Sequence, residues 1–178
     1  RRDGNVLASQ IARHYQLAGE TSAAAENFKL AGDHARALYA NAEARAHYRD
    51  ALTLGQPNAA ALHQAIGDLQ TLLGDYADAL KSYAVAATLC EPGALAHIEH
   101  QLGAVHHRRG EYDLAESHYA IAMNTFVQST PGAERAKLLA DWSLTAHALG
   151  QNDRAQEIAS RALELAEHDH DLRPLAQV

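Results

Sequence analysis

The stretch GDYADALKSYAVA (Gly74–Ala86) recurs as GEYDLAESHYAIA (Gly110–Ala122), with Gly, Tyr, Ala, Tyr, Ala and Ala at matching places. Looser copies begin at Gly19 and Gly150. The last three copies start 36 residues apart (74 to 110) and then 40 residues apart (110 to 150). Self-similarity at a period of roughly 35 residues is typical of an array of helical repeats.

The residue types in this stretch have physical reasons to be there. The opening glycine can adopt the left-handed conformation that ends a helix, and the acid after it suits the positive start of the next helix. Ala79 and Tyr83 lie four residues apart and share one helix face. In the preceding helix, Ile66-Gly67 and Leu102-Gly103 place a large apolar residue before one without a side chain. The pattern predicts closely packed helix pairs.

Apolar-Gly followed by Ala-x3-aromatic, with a proline near the repeat end, resembles the tetratricopeptide repeat. The resemblance covers nearly the whole chain and is most specific over residues 60–129. It implies an all-α fold of about nine helices, a right-handed superhelix of antiparallel helix pairs. The last unit departs from the pattern, because Trp142-Ser143 replaces apolar-Gly and Ala159 replaces the aromatic. We expect a single repeat domain over residues 1–178, with units at 5–24, 25–58, 60–93, 96–129 and 136–169.

Helical spacing of apolar residues predicts where the helices lie. The second helix is long, passes through Gly32, and serves as the first helix of the second unit. The predicted helices span residues 5–18, 22–39, 42–54, 58–73, 76–89, 94–109, 112–127, 133–149 and 152–168.

Composition restricts the class of protein. Of 178 residues, 39 are alanine, and β-branched and aromatic residues are scarce, which disfavours strands. The net charge of −7 argues against direct binding of nucleic acid, which needs a basic surface. No apolar run approaches the ~18 residues of a membrane span, and no signal peptide is visible, so we expect a cytoplasmic protein without membrane contact.

The two ends of the chain suggest that it is part of something longer. It starts at Arg1 without methionine, and residues 174–178 read as the opening of another helix. We expect a fragment of a longer protein. Repeat arrays normally end in a polar cap and none is evident, so the uncapped ends offer surfaces for self-association.

Twelve histidines invite a metal site, and four of them (His97, His100, His106 and His107) share one predicted helix. However, the chain has no HExxH, and the single cysteine, Cys90, supplies no zinc framework. His106 faces the expected core and is interpreted as structural. No GxSxG elbow occurs either. We therefore expect no metal, no cofactor and no enzymatic activity.

Two classes of function remain. In the first, the array is a non-catalytic scaffold that binds a protein or peptide segment in an open groove. The second follows from another resemblance: residues 11–35 and 38–52 look like the helical region behind the ATPase module of large bacterial signal-transducing transcriptional regulators. It implies a sensor segment that binds a small molecule or a neighbouring domain, for which a closed, aromatic-lined pocket is expected. No GxxxxGK[ST] phosphate loop is present, so no catalytic residue is assigned.

The resemblance to tetratricopeptide repeats also implies where a partner binds, because the first helix of each pair lines the concave face in that family. We expect these side chains to face a partner and to lie outside the core, and the histidines to bind an acidic or hydrogen-bonding segment more tightly below about pH 6.5. The partner-facing residues predicted in this way are Gln64, Asp68, Thr71, His97, His100, Ala104, His107, Arg108, Lys137, Leu144 and His147.

One known ligand class of the family is not expected to bind. Relatives that hold the acidic C-terminal tails of heat-shock chaperones resemble one another in a clamp of Lys and Asn on successive first helices. The matching places here hold Ser9 and Arg13, then Gln64 and Asp68, then His100 and Ala104. An aspartate at one of these places would repel a carboxylate.

Overall fold

A computed structural model describes residues 2–126 and 131–172 of the chain, with the side chains of residues 7–126 and 131–167. All regular structure in these ranges is helical, so the predicted all-α class is confirmed. The helices are α1 (Arg2–Leu17), α2 (Thr21–Ala37), α3 (Asn41–Thr53), α4 (Ala59–Leu73), α5 (Tyr76–Leu89), α6 (Pro92–Arg108), α7 (Tyr112–Thr125), α8 (Gly132–Ala148) and α9 (Asn152–Leu172).

The contacts divide the chain into two compact units, residues 1–89 and residues 90–178. The first unit holds α1 to α5 and the second α6 to α9. The expected single domain and its repeat boundaries stay a prediction. No helix in the described ranges has both the length and the apolar character that crossing a membrane requires.

In the first unit, α2 packs against both α1 and α3, and α4 packs against α5. The sharing of α2 between two helix pairs matches the long second helix expected from the sequence. The core of this unit is built from small alanines between a few large side chains, such as Phe28, Tyr48 and Ile66. Small residues on facing positions let the helices approach closely, and the large ones fill the remaining space.

In three helix pairs, a glycine on one helix packs against the ring of a tyrosine that lies 16 residues later on the next helix. We call this contact the glycine–tyrosine lock. A Cβ atom placed on Gly67 would lie 2.7 Å from the Tyr83 ring, and one on Gly103 would lie 2.6 Å from the Tyr119 ring. The first pair has the same contact, because a Cβ on Gly32 would lie 2.4 Å from Tyr48. The sequence predicts only that α2 passes through Gly32. The structure shows why a glycine is needed there, because the Tyr48 ring on α3 leaves no room for a side chain.

Five helices, α1, α3, α4, α6 and α8, are each followed by a glycine of positive φ. Gly74 and Gly110 close α4 and α6 with φ of 81° and 75°. After α2 the corresponding place is taken by Tyr39, which is almost fully exposed at φ 59°. A bulky residue rarely adopts this conformation, so the α2–α3 turn is strained, whereas the turns closed by glycine are not.

In the second unit, α6 pairs with α7 and α8 pairs with α9, and one core cluster joins α7, α8 and α9. The last pair lacks the glycine–tyrosine lock, as the sequence indicates, and Ala159 is exposed. Trp142 takes over part of the packing: its indole N–H donates to Glu116 at 3.1 Å, and the guanidinium of Arg154 lies 5.7 Å above its ring.

Candidate functional site

In the first unit, two of the three predicted partner-facing residues, Asp68 and Thr71, form hydrogen bonds within the fold. The Tyr83 hydroxyl donates to Asp68 Oδ1 at 2.9 Å, and Arg36 on α2 donates to Asp68 Oδ2 at 3.0 Å. The Thr71 hydroxyl donates to the carbonyl of Gly67 at 2.9 Å. Gln64 is half-buried. Asp68 on α4 therefore links this helix to α2 and α5 through hydrogen bonds. Its role towards a partner stays a prediction.

The bond between tyrosine and aspartate is a repeated feature of the first unit. The Tyr48 hydroxyl donates to Asp33 Oδ1 at 2.8 Å, with the same 15-residue spacing as Tyr83 and Asp68. In each case the aspartate directly follows the locking glycine. In the second unit the residue after Gly103 is Ala104, 15 positions before Tyr119, so this pair lacks the internal carboxylate.

His100 corrects one expectation. It was predicted to face a partner outside the core, but it is only 5% exposed. Its Nε2 lies 2.7 Å from Asp141 Oδ2 on α8, and its ring contacts Tyr119 edge-on at 5.8 Å. Because a buried imidazole needs a hydrogen-bond partner, His100 ties α6 to α8 and belongs to the packing.

The other predicted residues of the second unit differ in their engagement. His107 Nδ1 lies 2.8 Å from Thr145 Oγ1 on α8, and His147 Nδ1 lies 2.9 Å from Asn152 Oδ1 at the start of α9. His97 is exposed and hydrogen-bonds within α6 to Gln101. Three further residues, Arg108, Lys137 and Leu144, are also exposed.

Two further histidines form a separate cluster between α6 and α7. The rings of His106 and His118 stack at 5.1 Å with an interplanar angle of 7°. His106 Nδ1 lies 2.7 Å from Glu111, and His118 Nδ1 lies 2.7 Å from Glu99. This arrangement agrees with the structural interpretation of His106. Across the described side chains, no group of three or more His, Cys, Asp or Glu could hold a metal ion.

A cleft of about 220 Å³ lies between α6, α7 and α8, at the place where the internal aspartate is missing. It brings together four of the predicted partner-facing residues. It also includes two residues that the sequence reasoning did not assign to a binding surface, Tyr119 and Asp141. The replacement of aspartate by alanine after Gly103 is the signal that could have indicated it. The cleft is lined by Ala104, His107, Arg108, Tyr119, Asp141 and Leu144.

The cleft presents both hydrogen-bond donors and an acceptor. Burial, together with the negative charge of Asp141, raises the pKa of the Tyr119 phenol, so its hydroxyl stays protonated at neutral pH. Asp141 uses Oδ2 for His100, and within the described residues no hydrogen bond is found on Oδ1. Arg108 makes no ion pair with any described residue.

The first unit has a cleft of its own, of about 390 Å³, lined by Arg13, Gln16, Leu17, Phe28, Asp50 and Thr53.

The helix pairs, their glycine–tyrosine locks and the period of the repeats agree with one family. The sequence model described as "Tetratricopeptide repeat" matches residues 94–168. This segment belongs to the tetratricopeptide repeat family. No curated protein sequence matches the chain.

Solved structures with the tetratricopeptide repeat fold extend the similarity beyond the matched segment. The chain is similar to the MamA protein, with 17% identity and a TM-score of 0.70 over 96% of both chains. It is also similar to YrrB, described as a TPR protein with an unusual peptide-binding site, with 20% identity and a TM-score of 0.65 over 96% of this chain and 90% of YrrB. BtubC from P. vanneervenii gives 18% identity and a TM-score of 0.72, over 94% of this chain and 74% of BtubC. At these identities the likeness shows the fold alone.

Proposed function

We propose that this protein is a non-catalytic interaction module and that the second unit binds a peptide segment of a partner protein along α6 and α8. The observation that carries the proposal is the cleft between these helices, which opens beside exposed Arg108 and Leu144. Arginine is enriched at protein interfaces and at their energetic hot spots, and Arg108 has no ion pair among the described residues. The exposed Leu144 beside it adds apolar surface.

Two further observations support a peptide over a small molecule. The cleft, at about 220 Å³, lies below the range of roughly 300–1,000 Å³ that is usual for small-ligand sites. It is also open to solvent, whereas a sensor segment was expected to have a closed, aromatic-lined pocket. The peptide-binding site named for YrrB belongs to a protein of the same fold, which makes such a role available to this chain.

A site-specific photocrosslink tests the proposal. The photoreactive residue p-benzoylphenylalanine is introduced in place of Leu144, and in place of Leu163 on α9 as a control. The two leucines are matched, because they are 58% and 59% exposed. We expect position 144 to capture a discrete partner protein in cells and position 163 not to, and we expect Arg108→Glu to remove the captured species. Equal capture at both positions would show the proposed surface to be wrong.

A further inference from the structure

The three locked helix pairs differ at one position, which decides whether the tyrosine hydroxyl has a carboxylate partner within the fold. In the first unit, Asp33 and Asp68 accept hydrogen bonds from Tyr48 and Tyr83 at 2.8 and 2.9 Å. Ala104 stands at that position before Tyr119, and the corresponding position of the last pair, one residue after Ser143, holds Leu144. Both of these non-acidic residues line the cleft. The cleft is therefore the space that an internal carboxylate fills elsewhere in the chain.

The groups around this space include donors and an acceptor. Tyr119 supplies a hydroxyl donor and Arg108 a guanidinium. Asp141 supplies a carboxylate whose Oδ2 is fixed by His100 at 2.7 Å, and Oδ1 remains as an acceptor. His107 is committed to Thr145 through Nδ1. Leu144 gives the rim an exposed apolar surface.

These charges restrict the chemistry of the occupant. A carboxylate entering the cleft would come close to Asp141, and a cation would come close to Arg108. A neutral group that both donates and accepts satisfies each side without burying net charge. The side-chain amide of Asn or Gln has this property, since its carbonyl accepts and its NH2 donates.

We infer that Ala104 opens a side-chain-sized subsite in which Tyr119, Arg108 and Asp141 bind the carboxamide of an Asn or Gln in the partner peptide, with an apolar neighbour over Leu144. The inference rests on the proposed function and names the partner's chemistry. The carbonyl of the partner accepts from Tyr119 and Arg108, and its NH2 donates to Asp141 Oδ1. The partner thus supplies the acceptor that Asp33 and Asp68 supply within the first unit.

A series of blocked hexapeptides tests this subsite on the whole chain. The peptides are acetyl-Ala-Ala-X-Leu-Ala-Ala-amide with X as Gln, Glu, Lys or Leu, and binding is followed by backbone amide shifts in NMR titrations. We expect the Gln peptide to shift amides around Ala104 and Tyr119 saturably, and the other three to bind at least about tenfold more weakly, a difference of about one good hydrogen bond to a charged group. Equal binding of the Glu or Lys peptide, or no binding by any peptide, would overturn the subsite.

Two variants connect the binding to Ala104. Ala104→Asp restores the internal carboxylate found in the other two pairs, and we expect it to abolish the shifts caused by the Gln peptide. Ala94→Asp, on an exposed position of the same helix, adds the same charge outside the cleft and should leave binding unchanged. Arg108→Gln, on an exposed side chain, is a second test that does not depend on how Ala104→Asp folds, and it should weaken binding about tenfold.

The outcomes separate the two proposals. If Ala104→Asp or Arg108→Gln binds the Gln peptide as well as the natural chain does, the subsite is wrong. Should position 144 still capture a specific partner in that case, the interaction surface stands and only its assigned chemistry falls. A failure of the crosslink together with binding of the Gln peptide would place the fault in the proposed function.

Discussion

At the scale of single residues, the fold depends on contacts in which only one side chain fits. A Cβ on Gly103 would lie 2.6 Å from the Tyr119 ring, closer than carbon atoms approach in folded proteins. The ring itself is buried and cannot move into solvent without leaving a cavity. The glycine is therefore required by its partner on the next helix, although glycine is unfavourable inside a helix.

The first prediction compares two glycines of α6. Gly103→Ala should lower the free energy of unfolding by about 1–3 kcal/mol, because the added methyl overpacks against Tyr119. Gly93→Ala is the matched control, since a Cβ there meets nothing within 4 Å. It should be neutral or stabilising by up to about 1 kcal/mol through helix propensity. The measurement is the urea concentration at the midpoint of unfolding for each variant. Equal midpoints for the two variants would show that Tyr119 does not require a glycine at position 103.

At the scale of helices, side-chain hydrogen bonds between the two helices of a pair accompany the apolar packing. Tyr48 on α3 donates to Asp33 on α2, and burial raises the pKa of Tyr48 to about 12, with the bond to Asp33 acting in the same direction. The folded state thus favours the protonated phenol more than the unfolded chain does. In the second unit, His100 and Asp141 join α6 to α8 in a related way, and there the bond links two first helices.

The second prediction concerns alkaline pH. Because the folded-state pKa of Tyr48, about 12, lies above the ordinary value of about 10, the stabilisation is fully present below pH 10 and is lost as the pH rises towards 12. We expect the urea midpoint of the natural chain to fall between pH 10 and 11.5 more steeply than that of Tyr48→Phe. The hydrogen bond to Asp33 also raises the pKa of Lys29, but Lys29 is present in both proteins. Parallel curves for the two proteins would contradict the assignment.

At the scale of the whole chain, the surface is acidic, with a net charge of −7. Two of the residues at the places that form a carboxylate clamp in other family members are hydrogen-bonded within the fold. Asp68 is held by Arg36 and Tyr83, and His100 is buried against Asp141. Neither residue can turn towards a ligand without breaking a bond within its own unit.

The third prediction is that an acidic peptide with a free C-terminal carboxylate does not bind measurably in a calorimetric titration at physiological salt. Repulsion by Asp68 and the absence of lysine or asparagine at the clamp places are the reason. The same peptide with an amidated C-terminus serves as the control. Saturable heat that appears only with the free carboxylate would show that a clamp exists after all.

The sequence by itself determined the repeat, the helices and the packing residues. Period, glycine stops and the Ala-x3-Tyr spacing are local properties, and local spacing fixes which residues share a helix face. The predicted helix bounds therefore agree with the structure to within about two residues at most ends, and Ala79, Ala115, Tyr83 and Tyr119 are buried as the pattern indicates.

Only the tertiary structure decided which polar side chains are committed within the fold. His100 sits on the stripe that the family pattern assigns to a partner, yet Asp141, 41 residues later, draws it into the packing. The cleft likewise depends on α6, α7 and α8 meeting at Ala104, Tyr119 and Asp141. Helical periodicity indicates on which face of its helix a side chain lies. The group that this side chain contacts belongs to a residue far along the chain, and a local sequence pattern contains no information about it.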